Sequence, residues 1–367
     1  MQQTMGVIQF VGSGVTGPRP LAPLWQLCGA LGIAIMLAAC GQVSPPAATR
    51  PAATPRPASA AATLQPFPTT AAVTPAPSPT PLALASAFRV LAVRSAIQLH
   101  GARSRSVALL VGSTVLLCGG LTSAGTTGSI ERIDLRSGRV SAGGALSNPV
   151  HDAGGAVIGG YGFVFGGGRV GPGSVVQRID PTGRTVRIGN LPAIRADLAA
   201  IALGSEIVVV GGGTPGHPDA RVLATTRGLT FRVVAKLVVA VRYPAVVGVG
   251  GWVYVIGGST ASGDTRIIQA VDPRTGVVRI VGHLVHGLSH ASAFVIGGAV
   301  ILAGGRAAGR PQNGIWRLDA ASGTVTPIGR MPYAVSDAAA AVFDGIGYLI
   351  GGEGRGPIAS VITITAR

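Results

Sequence analysis

Six polar residues recur at one offset: Arg105, Asp152, Asp197, Tyr243, His290 and Asp337 each stand fourteen residues ahead of a glycine pair. Three carboxylates, an imidazole, a phenol and a guanidinium form a set that hydrogen-bonds polar ligands. Carboxylate and imidazole together also move protons. The chain of 367 residues holds only 13 acidic side chains, and three of them fall at this offset. If the fold gathers the six, they make a pocket of converging donors and acceptors. Repeat symmetry alone also sets polar groups at strand starts, where they cap backbone N–H groups or hold water.

The elements that must position these residues are legible around the glycines. The pairs begin at Gly119, Gly166, Gly211, Gly257, Gly304 and Gly351, at intervals of 45 to 47 residues. Each closes an apolar run: "VLLCGG", "FVFGG", "IVVVGG", "VYVIGG", "VILAGG" and "YLIGG". A strand with no polar alternation is buried on both faces. Glycine permits positive φ and close backbone approach where such strands crowd together. Fourteen or fifteen residues after most pairs comes a second landmark, "IDLRSG", "IDPTG", "VDPRTG" or "LDAASG". An Asp ahead of small residues and Gly predicts an Asx turn between two strands. The third unit carries "ATTRG" there and lacks the Asp. One unit is therefore two strands up to the glycine pair, a loop, a third strand, the turn and a fourth strand.

Four strands every ~45 residues with a glycine pair closing the second resembles the kelch repeat of β-propellers. The resemblance covers Leu84 to the C-terminus in six copies. It departs from the family where a Tyr in strand three and a Trp in strand four are usual, since Ile133 and Val140 stand at those places in the first unit. It implies an all-β, six-bladed propeller over residues 84–367. The last unit lacks a fourth strand, and "AFRVLAVRSAI" at the front has no glycine pair of its own. That front segment is expected to complete the sixth blade and seal the ring. Strands one and two run antiparallel, so the six polar residues share a face with the loops after the glycine pairs. Those loops carry Arg169, His217, Asp219, Asp264, Arg306, Arg310, Gln312, Asn313, Glu353 and Arg355. Varied loops on a common scaffold are where such folds bind.

Composition agrees with an all-β body. Glycine numbers 57, charged residues are 11% and aromatics 4%. The net charge is +16, nearly all arginine, with Lys236 the only lysine. No dense basic run with interleaved aromatics exists, which argues against nucleic acid as a partner. Cys118 lies inside an apolar run and reads as a small buried hydrophobe. "HLVHGLSH" sets His283, His286 and His290 close in sequence, but no Cys or Glu completes a metal-site spacing, so no metal or cofactor is expected. "GSGVTG" and "GGGRVGPG" lack the Lys-Ser/Thr ending of a phosphate loop.

The front of the chain carries an address. "LWQLCGALGIAIMLAA", Leu24 to Ala39, is too short for a comfortable span and has the length of a signal-peptide apolar core. "LAAC", ending at Cys40, resembles the lipobox of bacterial lipoproteins, which implies a signal peptide over residues 1–39 and lipid attachment at Cys40. Residues 40–83 are rich in Pro, Ala and Thr and read as an extended tether. The expected protein is exported and lipid-anchored at a bacterial membrane, at the cell surface or the periplasmic face. Its propeller is a binding module for a protein, glycan or anionic polymer, with Arg105, Asp152, Asp197, Tyr243, His290 and Asp337 as ligand-binding residues. Kelch-type folds also host copper radical oxidases and sugar mutarotases. The burial expected of Cys118 argues against the oxidase, which needs a Cys–Tyr crosslink. The alternative is a mutarotase- or epimerase-like carbohydrate enzyme using the same polar residues.

Overall fold

The apolar run before each glycine pair forms the second strand of a four-stranded antiparallel sheet, and six such sheets are present. The computed structural model describes residues 88–367. The expected signal segment, Cys40 and the Pro-rich tether lie outside the described residues. Blade 1 pairs Val107–Val111, Thr114–Cys118, Ser129–Asp134 and Val140–Ala145 in that order. Blades 2 to 5 repeat the pattern, with first strands Gly154–Ile158, Ala196–Leu203, Ala245–Val249 and Ser292–Ile296. Each first strand contacts the first strands of both neighbouring blades, so they line the axis of a β-propeller.

Blade 6 is built from both ends of the described chain. Ala339–Phe343, Ile346–Ile350 and Ile358–Ala366 supply three strands, and Val90–Arg103 pairs antiparallel with the last. The register runs from Val90 opposite Ala366 to Arg103 opposite Ile358, with two irregularities. The ring thus has no open inner edge for another chain to pair with. At the seam, Glu131 of blade 1 accepts the His100 amide at 3.1 Å and the Arg103 guanidinium at 2.6 Å.

The core is six apolar layers, one between each neighbouring pair of blades. Second strands feed two layers at once. In Ile207–Val210, alternate side chains face blade 2 and blade 4, and all four are fully buried. That explains the unbroken apolar runs, since each such side chain contributes about 1.5–3 kcal/mol when buried. The glycine pairs answer to the same crowding. Gly257 has φ of 61°, and a Cβ there would lie 2.1 Å from the Leu288 carbonyl oxygen.

The turns are as the Asp landmarks imply. Asp134 accepts the Arg136 amide at 3.0 Å, Asp180 the Thr182 amide at 2.9 Å, Asp272 the Arg274 amide at 3.0 Å and Asp319 the Ala321 amide at 2.9 Å. In blade 3 Thr225 takes over, its hydroxyl accepting the Gly228 amide at 2.8 Å. Strand three of two blades carries a buried glutamine, two residues before the Ile or Val that precedes the turn Asp. Gln177 brackets Asn148, and Gln269 brackets Val239, each accepting the amide and donating to the carbonyl of a residue in the preceding blade's outgoing loop.

Candidate ligand site at the channel mouth

The six residues at the common offset meet in one ring. Each lies just before or at the start of a first strand, and their main chains are joined in a closed cycle. The Arg105 amide donates to the Asp337 carbonyl, and Asp152, Asp197, Tyr243, His290 and Asp337 each donate to the ring member before. The six bonds span 2.8 to 3.1 Å. To close this belt every member adopts a left-handed backbone, with φ between 52° and 62°. Only eight non-glycine residues among the described residues have positive φ, and six of them are these. The left-handed form costs an L-residue roughly 1–2 kcal/mol, which glycine would avoid. A chain with 57 glycines places none at these positions.

The side chains line a cleft of about 150 Å³ at the axis, and all six take part. Arg306 and Glu353, just after two of the glycine pairs, pair with ring side chains from beside the cleft. The residue preceding each ring member pairs by backbone with the first residue beyond the pair, as in Ser289 with Arg306 and Ser336 with Glu353. Arg306 thereby reaches Asp337 at 3.3 Å and Glu353 at 2.8 Å. Arg105 lies 3.1 Å from Asp152, 3.8 Å from Asp337 and 3.6 Å from Glu353. Arg242 binds Asp197 through Nε at 2.5 Å. Tyr243 and His290 stack with ring centroids 3.7 Å apart, and Arg242 lies 5.2 Å from the centroid of the Tyr243 ring. Three guanidiniums thus face four carboxylates, so the mouth is close to electrically balanced despite the net charge of +16.

Burial and pairing drive the titrating groups apart. Burial raises Asp152, Arg105 pulls it back, and Asp197 and Asp337 push it up again, leaving it at about 7. Asp337 is also buried, but the hydrogen bond and charge of His290, with Arg105, hold it down at about 2. Asp337 is therefore the acceptor of the 2.6 Å bond, and His290 Nδ1–H the donor. Burial opposes the charge of Arg105, but Asp152 and Asp337 outweigh it and keep its pKa above the ordinary value. Burial and the Asp152 and Asp197 carboxylates hold the Tyr243 phenol protonated well past its usual range. Burial and Arg105 hold His151 below its usual value.

Of the loop residues singled out by sequence, Arg306 and Glu353 join the ring. Asp219 is taken by Arg195 at 2.8 Å and Arg221 at 2.6 Å, and Asp264 accepts Ser259 at 2.7 Å. Arg169, His217, Arg310 and Arg355 are exposed. His283 and His286 are exposed and do not follow His290 into the mouth. Among the described residues no group of three or more His, Cys, Asp or Glu is placed to hold a metal ion. Cys118 is buried inside its strand, and burial pushes its thiol pKa far up. Sequence reasoning missed Arg242, Ser336 and His151. Their signal is the position one residue before each ring member, which the loop pairing brings onto the mouth.

No protein-family model matches the chain, and no curated protein matches it. Among solved structures, the one titled "Structure of YjhT" superimposes with a TM-score of 0.64 at 15% identity, over 74% of this chain and 99% of that one. At that identity the likeness shows the fold alone.

Proposed function

We propose that the propeller is a binding module whose channel mouth captures a small, uncharged polyhydroxylated group, such as one sugar unit of an envelope glycan. The observation that carries this reading is the left-handed backbone of the six ring residues. Strain of this kind clusters at functional sites, and glycine would relieve it in a chain already rich in glycine. The side chains are kept where they cost stability. Balanced charge at the mouth favours a neutral ligand over an anionic polymer. Carboxylates and guanidiniums accept from and donate to neighbouring hydroxyls, and the stacked Tyr243–His290 pair offers an apolar face to ring C–H groups. A kelch-like lineage and a lipid anchor at Cys40 complete the proposal, the tether holding the module away from a bacterial membrane.

Isothermal titration of the protein with neutral hexoses, N-acetylhexosamines and uronic acids tests the site. Saturable binding of a neutral sugar, weakened about tenfold or more by Tyr243→Ala, is expected. Binding confined to the charged sugars, or unchanged by Tyr243→Ala, overturns it. Cys40→Ser tests the anchor: loss of the protein from the membrane fraction is expected, and unchanged partitioning refutes it.

A second reading is favoured by one observation. Asp152 at about 7 and Asp337 at about 2 flank the same guanidinium. Carboxyls driven apart in this way suit acid and base roles in ring opening of a sugar. Accelerated anomer exchange, abolished by Asp152→Asn while binding persists, would place catalysis at the mouth.

A further inference from the structure

We propose a second ligand site, away from the channel mouth, between blades 2 and 3, for a small molecule with an apolar body and one anionic group. The cleft measures about 510 Å³ and lies among the inter-strand turns of the face opposite the ring. Its size falls within the range of small-molecule sites. Tyr161, Phe163, Ile188 and Leu229 form its apolar lining, and Arg178 and Arg227 supply two guanidiniums. No carboxylate lines it. Neither arginine forms an ion pair among the described residues. Arg178 instead lies over the Tyr161 ring, 5.0 Å from its centroid.

The cleft lies where blade 3 departs from blades 2, 4 and 5. In blades 2, 4 and 5 the turn between strands three and four rests its glycine on the main chain of the preceding blade. A Cβ on Gly183, Gly276 or Gly323 would first meet the carbonyl oxygen of Gly143, Val234 or Val281. In blade 3 the Asp of that turn is replaced by Thr225, and a Cβ on Gly228 would first meet side chains: Ile188, Val176 and Phe163. The turn therefore rests its glycine on side chains of blade 2 and leaves Leu229 56% exposed beside Arg227. Apolar walls take a hydrocarbon or aryl body, and the two free cations take its carboxylate or sulfonate. The positive charge without a local counterpart selects an anion over a neutral or cationic amphiphile of the same shape.

Fluorescence titration of the full chain with 8-anilinonaphthalene-1-sulfonate, followed by displacement with 2-naphthoate, reads the site directly. Saturable enhancement is expected, displaced by 2-naphthoate but not by 2-naphthylmethylamine. The double variant R178E/R227E is expected to weaken the sulfonate at least tenfold with an unchanged melting temperature. Should that variant fail to fold, Leu229→Glu, a change to one exposed side chain, gives the same reading. Asp197→Asn, at the mouth, leaves the titration unaltered, so this site and the sugar reading fail separately. Equal displacement by the amine, or unchanged affinity in the variants, overturns the proposal.

Discussion

Asp152 and Asp337 face the same guanidinium, Arg105, at 3.1 and 3.8 Å, yet one carboxyl sits at about 7 and the other at about 2. The difference is in the remaining neighbours. Asp337 also holds His290 at 2.6 Å and Arg306 at 3.3 Å, while Asp152 has Arg105 as its one close cation apart from His151 at 3.7 Å.

That asymmetry predicts a stability profile. Unfolded, Asp152 titrates near the ordinary value of about 4; folded, it titrates at about 7. Between those values the folded protein holds the extra proton, so this group's contribution falls as pH rises from about 4 to about 7. His151 is lowered and works the other way: its contribution is lost as pH falls below about 6.5. Asp152→Asn removes the first effect and keeps the second. Its melting temperature relative to wild type is expected to climb from pH 5 to pH 8. Parallel curves would sink the assignment.

Asp337 has the opposite sign. Its folded pKa is depressed, so its stabilisation is present above about 4 and is lost as pH falls through about 2. Asp337→Asn leaves Arg105 and Arg306 short of a counter-charge and is expected to cost about 3 kcal/mol at neutral pH, shrinking in acid. Urea unfolding at pH 7 and pH 3 reads both numbers; an equal loss at the two pH values would contradict them.

Glycine substitutions separate conformation from crowding. Gly250 has φ of 58° with open space around it, so Gly250→Ala is expected to cost about 1 kcal/mol. Gly257 has nearly the same φ but meets the Leu288 carbonyl, so Gly257→Ala is expected to cost at least twice as much. Matched denaturation curves check the ratio, and equal losses would mean that crowding does not set the glycine pair.

The seam between the chain ends rests on a buried charge. Glu131→Ala strands Arg103, which is 6% exposed, and is expected to cost about 3 kcal/mol. Replacing both, Arg103→Leu with Glu131→Leu, is expected to restore most of it. A double variant as weak as the single one would show that the pair does more than satisfy itself.

Much of this architecture is legible in the chain because its marks are local. An apolar run and the glycines that end it lie within six residues, as in Tyr254–Gly258, and the offset from the pair back to each ring member is fixed by strand length. Asp134 and Asp180 announce their turns in the same way. The partners of the ring are less legible. Arg242 and Arg306 reach it because residues before the first strand pair with residues beyond the glycines, a contact at fixed offsets whose residue types vary from blade to blade. The glutamine clamps were hidden for a different reason: Gln177 and Gln269 are polar residues in apolar strands, and sequence points them to no particular partner. Nor does sequence separate Asp152 from Asp337, since identical residues at identical offsets differ only in what the other blades bring.

In the belt of six amides, each N–H is already engaged by the carbonyl before it, so the main chain offers an incoming molecule no free donor there. What the mouth recognises is then written in side chains, the six exchangeable letters and the neighbours they hold, on a fixed frame. A lineage carrying this frame can alter its taste one letter at a time, since the cycle of peptide bonds that holds the opening does not depend on what hangs from it.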